Sequence, residues 1–186
     1  LDFSRRSSTA RKPLDVALVA EETVELLERT LPENISLTVE TPPRPCVILG
    51  DRGQLQQVIT NLALNARDAM PDGGRLRIGV TPSSTPPGWN RAEAPELLAD
   101  WIVVSCTDTG SGISSSVGDR IFEPFFTTKT EGQGTGLGLA QVYGIVSQHH
   151  GHIDYESTSS GTTFRVWFPR ADVTIGTSET EADEDV

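Results

Sequence analysis

The chain has 186 residues, 36% apolar and 22% charged, with a formal net charge of −11. That is enough for one globular domain with its own core, and no run of about 18 apolar residues is present to cross a membrane. Residues 1–12 carry a net +3 and residues 179–186 a net −5; the remaining body is acidic and repels phosphate backbones, which argues against nucleic acid as a partner.

Residues 1–12 open on Leu1, are basic and serine-rich, and lack the apolar stretch of a signal peptide, so they read as the frayed end of a preceding element of a longer protein. Apolar residues at Val16, Val19, Ala20, Val24, Leu27 and Leu31 predict a helix over 14–31, broken by Pro32 and Asn34. Residues 35–40 alternate and read as a half-buried strand, 41–45 as a proline-rich turn and 46–49 as a short apolar strand. Asp51 is placed to cap a helix over 54–70, which Pro71, Asp72, Gly73 and Gly74 stop. Residues 75–81 alternate as a strand. A proline-bearing connection over 82–100 follows, with a turn of helix expected at 96–99, and then a strand over 101–107.

Residues 108–134 show little regular pattern. A helix is expected over 135–148, and two strands over 152–157 and 162–168, hinged at Ser159, Ser160 and Gly161. The order predicts an α/β (α+β) two-layer sandwich, a mixed β-sheet with helices packed on one face. Cys106 reads as a small core residue. Cys46 and Cys106 lie in no CxxC pair and far from His149, His150 and His152, so no zinc spacing appears and a reducing cytoplasm is the expectation. The three histidines fall on a helix-to-strand corner and are expected as surface or capping residues.

Three segments carry candidate chemistry. On a wheel at about 100° per residue, Leu55, Val58, Ile59, Leu62, Ala66 and Ala69 form one apolar face of the helix over 54–70. Gln54, Gln57, Asn61, Asn65 and Asp68 form a narrow polar stripe on its flank, the last three at i, i+4 and i+7. Such a stripe is either an ordinary solvated flank or a row of oxygen ligands for a polyanion and its metal. Asp108-Thr109-Gly110-Ser111-Gly112-Ile113 follows a strand, so that the backbone can approach a ligand while Asp108 accepts from an exocyclic amine; alone it is also an ordinary turn. Gly132, Gly134, Gly136 and Gly138 alternate into a helix start and offer bare N–H groups to an anion. This is neither a P-loop nor a dinucleotide fingerprint. Phe122, Phe125 and Phe126 precede it and read as an apolar anchor for a movable lid, with a folded surface loop as the alternative for the aromatics alone.

In this order the segments resemble the GHKL ATPase family and, within it, the ATP-binding catalytic domain of sensor histidine kinases. The resemblance covers about residues 14–169, with an N box at 61–69, a G1 box at 108–112, an F box at 122–126 and a G2 box at 134–138. Residues 65–70 and 125–129 look closest to the nitrogen-regulation and hybrid-kinase subgroup. The resemblance implies the Bergerat fold, with ATP and Mg²⁺ as cofactors. It implies Asn65 as metal ligand with Asn61 close by, and Asp108 as reader of the adenine amine, with Gly110, Gly112 and Ile113 beside the base. Gly134, Thr135, Gly136, Leu137 and Gly138 would cradle phosphates, and Lys129 would reach them. Phe122, Phe126 and Thr162 would support the nucleotide pocket. Asp68 stands where many of these kinases carry a basic residue, so its role toward nucleotide is open.

The implied reaction is transfer of the ATP γ-phosphoryl group to a histidine. Asn61, Asn65 and Lys129 would serve catalysis, and the acceptor histidine would lie on a separate dimerisation domain that residues 1–13 are too short to supply. The expected division is 1–13 as the end of that domain or a linker, 14–170 as the catalytic domain and 171–186 as an acidic, disordered tail. Expected partners are the parent's dimerisation/histidine phosphotransfer domain and a response regulator receiver domain, with no nucleic acid and no membrane contact by this segment. The parent would be soluble or membrane-anchored, with this part cytoplasmic. The rival readings are a GHKL ATPase that hydrolyses ATP, which needs a glutamate base near Asn61, and a nucleotide-binding regulatory module without phosphotransfer.

Overall fold

The computed structural model describes residues 11–84, 101–129 and 134–172. In chain order the elements are β1 (Lys12–Asp15), α1 (Val16–Glu28), β2 (Ile35–Glu40), β3 (Val47–Gly50), α2 (Arg52–Ala69), β4 (Gly74–Ser83) and β5 (Trp101–Asp108). A 3₁₀ turn (Gly118–Phe122), α3 (Gly138–Gln148), β6 (His152–Thr158) and β7 (Gly161–Pro169) complete them.

Five strands form one mixed sheet in the order β2-β4-β5-β7-β6. β2 runs parallel to β4 and every other pairing is antiparallel. The register aligns Val39, Ile78, Cys106, Phe164 and Tyr155 in one row across the whole sheet. The next row holds Val80, Val104, Val166 and Ile153. Strand alternation puts both rows on the same face, and the helices cover them with Val16, Val19, Ala20, Leu55, Val58, Ile59, Leu62 and Val142, all at most 2% exposed. Each large side chain buried this way is worth roughly 1.5–3 kcal/mol, so the helix-on-sheet layer is the main stabilising contact. Trp101, Val103 and Trp167 form a second, smaller cluster. Burial pushes the Cys106 thiol up to about 12, with the Asp108 charge adding to it, as befits an unreactive core residue.

Two aspartates start the first two helices. Asp15 accepts the Ala17 N–H at 3.0 Å and also the Cys46 N–H at 3.0 Å, so the cap of α1 is tied to the start of β3. Asp51 accepts the Gln54 N–H at 2.9 Å. The expected strands and the helix over 54–70 are present within a few residues of their expected ends.

Two local expectations are corrected. The helix expected from residue 14 begins at Val16, because Asp15 caps it and Lys12–Asp15 pair antiparallel with β3 instead. Pro13, with no N–H to give, fits such a short two-stranded ribbon. The helix expected from residue 135 begins at Gly138, because Gly136 has φ +65° and cannot lie in a right-handed helix. The expected helical turn at 96–99 lies outside the described residues, as do residues 1–10 and most of the acidic end. Among the described residues, no helix is long and apolar enough to cross a membrane.

Candidate functional site

The polar stripe of α2 faces α3. Asn61 donates through Nδ2 to the Gly138 carbonyl at 3.2 Å and to Gln141 Oε1 at 3.2 Å; Gln57 Nε2 reaches the same Gln141 oxygen at 3.2 Å. One turn further on, Asn65 Nδ2 is buried with no hydrogen-bond partner among the described residues. A side chain on Gly138 would meet both amides, 3.9 Å from Asn61 and from Asn65, so the first residue of α3 presents bare backbone to this pair. Leu137, the N-cap of α3, supplies no side-chain cap. Thr135 Oγ1 accepts the Leu137 N–H at 3.4 Å. Among the described residues, the first turn of α3 therefore lacks a side-chain capping oxygen where its dipole is positive, a setting that favours an anion.

The segment before α3 is held by backbone contact. The Phe125 N–H donates to the Gly136 carbonyl at 2.9 Å. A Cβ on Gly136 would lie 2.4 Å from the Phe125 carbonyl carbon, so this crossing admits only glycine. The three phenylalanines do not act together. Phe122 packs between Tyr143 and Tyr155, with ring centroids 5.8 and 6.3 Å away. Phe126 lies under the Arg120 guanidinium, 4.5 Å from its ring centre. Phe125 has φ +67° and is 75% exposed, so the expected three-ring anchor is a two-ring anchor. Gly132 and Gln133 lie outside the described residues.

Lys129 forms an ion pair with Asp68 across 61 residues of sequence, and Asp68 also pairs with the neighbouring Arg67, Nε to Oδ1 at 2.8 Å. Burial alone would push the Asp68 carboxyl up. The hydrogen bonds and charges of Lys129 and Arg67 outweigh it and hold the group below the usual carboxylate range. Gly134 sits against the stem of Lys129 and against Thr127.

Beside the C-terminal end of α2, Asp108 is 6% exposed. Its Oδ1 accepts the Gly110 N–H at 2.7 Å and the Thr162 N–H at 3.2 Å. Burial pushes the Asp108 carboxyl up, against the pull of those two bonds. Thr162 Oγ1 meets Ser157 Oγ at 2.8 Å, and Ser157 Oγ accepts the Ile113 N–H at 2.7 Å. The Ser111 N–H donates to the Ala69 carbonyl at 3.0 Å, which seats the Asp108–Ile113 loop on the end of α2. At Gly112, with φ +76°, a Cβ would overlap the Thr158 carbonyl at 1.9 Å.

Sequence reasoning missed Ser157 and Gln141. Ser157 stands directly opposite Thr162 in the β6–β7 pairing, a relation that the strand alternation itself contained. Gln141 lies one turn into α3 and has no local signal. His149 is a capping residue, as expected, and the structure adds that it is buried. It is the C-cap of α3, yet only 6% exposed: its Nδ1 meets the Ile145 carbonyl at 2.8 Å, the Asp51 N–H points at its Nε2 at 3.4 Å, and its ring stands edge-on to Phe168. His150 is exposed, and His152 tilts against Trp167 with ring centroids 5.6 Å apart. Among the described residues no cluster of three His, Cys, Asp or Glu side chains is placed to hold a metal by itself.

Residues 50–172 match the family described as Histidine kinase-, DNA gyrase B-, and HSP90-like ATPase. The sensor kinase CckA of Brucella abortus (strain 2308) is 43% identical over 173 residues, 91% of this chain and 18% of that protein. The sensory histidine kinase/phosphatase NtrB of Rhizobium leguminosarum bv. phaseoli is 33% identical over 168 residues, 90% of this chain and 43% of that protein. The chain thus spans less than half the length of these two relatives. Among solved structures, a nucleotide-free catalytic domain of histidine kinase ThkA superposes with TM-score 0.69 at 28% identity, covering 86% of this chain and 97% of that one. Full-length ShkA in complex with AMPPNP superposes with TM-score 0.70 at 26% identity, covering 89% of this chain and 32% of that one.

Proposed function

The chain belongs to the Histidine kinase-, DNA gyrase B-, and HSP90-like ATPase family, and on that premise we propose that it binds Mg-ATP and presents the γ-phosphoryl group to a histidine on a separate dimerisation domain of a two-component sensor kinase. The observation that carries the reading is the meeting of α2 with α3. Asn61 holds the Gly138 carbonyl, while beside it the buried Nδ2 of Asn65 has no partner among the described residues and the α3 N-cap, Leu137, makes no side-chain cap. A buried, unpaired amide is costly unless a ligand completes it.

The donor set fits a magnesium nucleotide. Asn65 offers a hard amide oxygen to Mg²⁺, which takes few protein ligands when phosphate oxygens are present. Gly134, Thr135, Gly136, Leu137 and Gly138 run into the positive end of α3, where phosphates are favoured, and Lys129 adds a cation from the segment opposite. At the other end, two backbone donors on Asp108 Oδ1 orient the carboxylate so that Oδ2 can accept the adenine amine. Gly110, Gly112 and Ile113 line that approach, with Thr162 and Ser157 fixing the loop. Phe122 and Phe126 hold the F-box segment against the domain.

ATP with Mg²⁺ supplies a transferable phosphoryl group whose charge the cation offsets. The chain's own task is to position and to stabilise charge. Asn61, one turn before Asn65, has no useful basicity toward water, and a neutral imidazole needs no base to bring a lone pair. This favours transfer to histidine over hydrolysis. The partners are then the parent's dimerisation domain and a response regulator receiver, in the cytoplasm. The proposed division keeps residues 1–13 as the join to the preceding domain, 14–170 as the catalytic unit and 171–186 as a tail; the join runs through β1. Calorimetry with Mg-ATP tests the site: the chain should bind, and Asn65→Ala should abolish the magnesium-dependent part of the affinity. A magnesium dependence of ATP affinity in Asn65→Ala as large as that of the parent chain would contradict it.

A further inference from the structure

We propose that Asp68 is a positioning residue for Lys129: it holds the Lys129 ammonium against α2 before nucleotide arrives and gives it up to the nucleotide phosphates. This rests on the nucleotide site proposed above and gives Asp68 a role that the motif pattern left open.

Asp68 lies three residues beyond Asn65 on the same stripe of α2, and Lys129 approaches from the segment that follows Phe126. The two partners of Asp68 use different oxygens: Lys129 takes Oδ2, and Arg67 takes Oδ1 through Nε at 2.8 Å and Nη2 at 2.7 Å. Release of Lys129 therefore does not leave a lone carboxylate, because Arg67 stays on it. The pair is partly exposed, with 34% of the Lys129 side chain and 25% of the Asp68 side chain in solvent. Such pairs are weak tethers. A polyphosphate offers more charge and more acceptor oxygens than one carboxylate already shared with arginine, so it wins the ammonium. The stem of Lys129 rests against Gly134, and Phe125 is bonded to Gly136. The ammonium thus turns on a stem already fixed beside the α3 start, and the exchange needs no refolding of that segment.

The consequence is a competition. Asp68 lowers ATP affinity by occupying Lys129, and it should do so only while Lys129 is there to occupy. A carboxylate that merely repelled phosphate would act equally with or without Lys129. One that bound the nucleotide directly would act with the opposite sign.

The chain has two lysines, Lys12 and Lys129, so reductive ¹³C-methylation gives a simple lysine spectrum with Lys12 in β1 as internal reference. Without nucleotide, Asp68→Asn should move the Lys129 methyl signal and leave Lys12 in place; Mg-ATP added to the parent chain should also move Lys129. By calorimetry, Asp68→Asn should tighten ATP by about three- to tenfold, and by less than about twofold in a Lys129→Met background. A Lys129 signal unaffected by Asp68→Asn, an equal effect of Asp68→Asn in both backgrounds, or weaker ATP binding in Asp68→Asn would each overturn the proposal while leaving the nucleotide site intact. Absence of any ATP binding by the parent chain would remove both the site and the exchange.

Discussion

Asp108 Oδ1 accepts two backbone N–H groups, from Gly110 at 2.7 Å and from Thr162 at 3.2 Å, and so locks the G1 turn to the start of β7. The same lock sets the direction of the second carboxylate oxygen. A carboxylate accepts from the amine of adenine but not from the carbonyl that guanine carries at that position, so GTP should bind far more weakly than ATP. Asp108→Asn keeps an oxygen for Gly110 and Thr162 and turns a donor toward the adenine amine. It should leave the fold intact and weaken ATP by about 1–3 kcal/mol. Calorimetry with both nucleotides on both chains checks this; equal affinities for ATP and GTP in the parent chain would remove the adenine-reading role.

The Gly136–Phe125 crossing offers a sharper structural test. Gly136→Ala faces a left-handed φ, worth about 1–2 kcal/mol for an L-residue, and a Cβ 2.4 Å from the Phe125 backbone. The segment must move to admit it. Because this crossing lies beside the α3 start and away from the main core, ATP affinity should fall at least tenfold, on the order of the 1.4 kcal/mol per decade that links the two, while the urea midpoint moves little. A large loss of stability with ATP affinity retained would show that the crossing serves the fold and not the site.

Much of this architecture is legible from residue pattern, and the limits have physical causes. The alternation at 35–40, Asp51 as a cap and the Asn61-Asn65-Asp68 stripe are local, and local signals survive into the fold. β1 is not legible, because four residues beside a capping aspartate give no period to read and its partner, β3, lies more than thirty residues away. The start of α3 is not legible, because the alternating glycines do not reveal that Gly136 takes a left-handed backbone. The Asp68–Lys129 pair joins positions 61 residues apart, and charge alone does not say which lysine meets which carboxylate. The burial of His149 is likewise a tertiary fact, set by the packing of α3 against the α2 cap and Phe168.

His149 makes stability depend on pH. Burial first, and then the Arg11 and His150 charges, hold its pKa below the usual histidine value, against the Ile145 carbonyl and Asp51, which pull it up. In the unfolded chain a histidine titrates near about 6.5. Below that value the unfolded state takes up a proton that the folded state resists. Stability is therefore fully present above about pH 6.5 and lost as the pH falls from there through the folded value. Urea titrations from pH 7.5 to 5.5 should show this slope, and His149→Gln should flatten it while lowering stability at pH 7.5 by about 1–2 kcal/mol. An unchanged slope in His149→Gln would assign the pH dependence elsewhere.

The C-terminal end should be dispensable. The Arg170 bridge to Ile48 and the Ala171 N–H to the Val47 carbonyl at 2.8 Å are the last contacts described. Beyond them the sequence is a polar, acidic run with too few apolar residues to bury a core. Truncation after Asp172 should leave the melting temperature within about 2 °C and the ATP affinity unchanged. A larger drop would mean that the tail packs on the domain.

The most direct test of the whole account follows the phosphoryl group. The chain is incubated with γ-labelled ATP and Mg²⁺ in three ways: alone, with a separately produced phosphoacceptor domain of its parent, and with that domain but carrying Asn65→Ala. Label should appear only in the second mixture, on the added domain, with slow phosphate release at most by the chain alone. Label on His149, His150 or His152 of the isolated chain, or rapid phosphate release without the acceptor domain, would contradict the account and mark a self-contained enzyme instead.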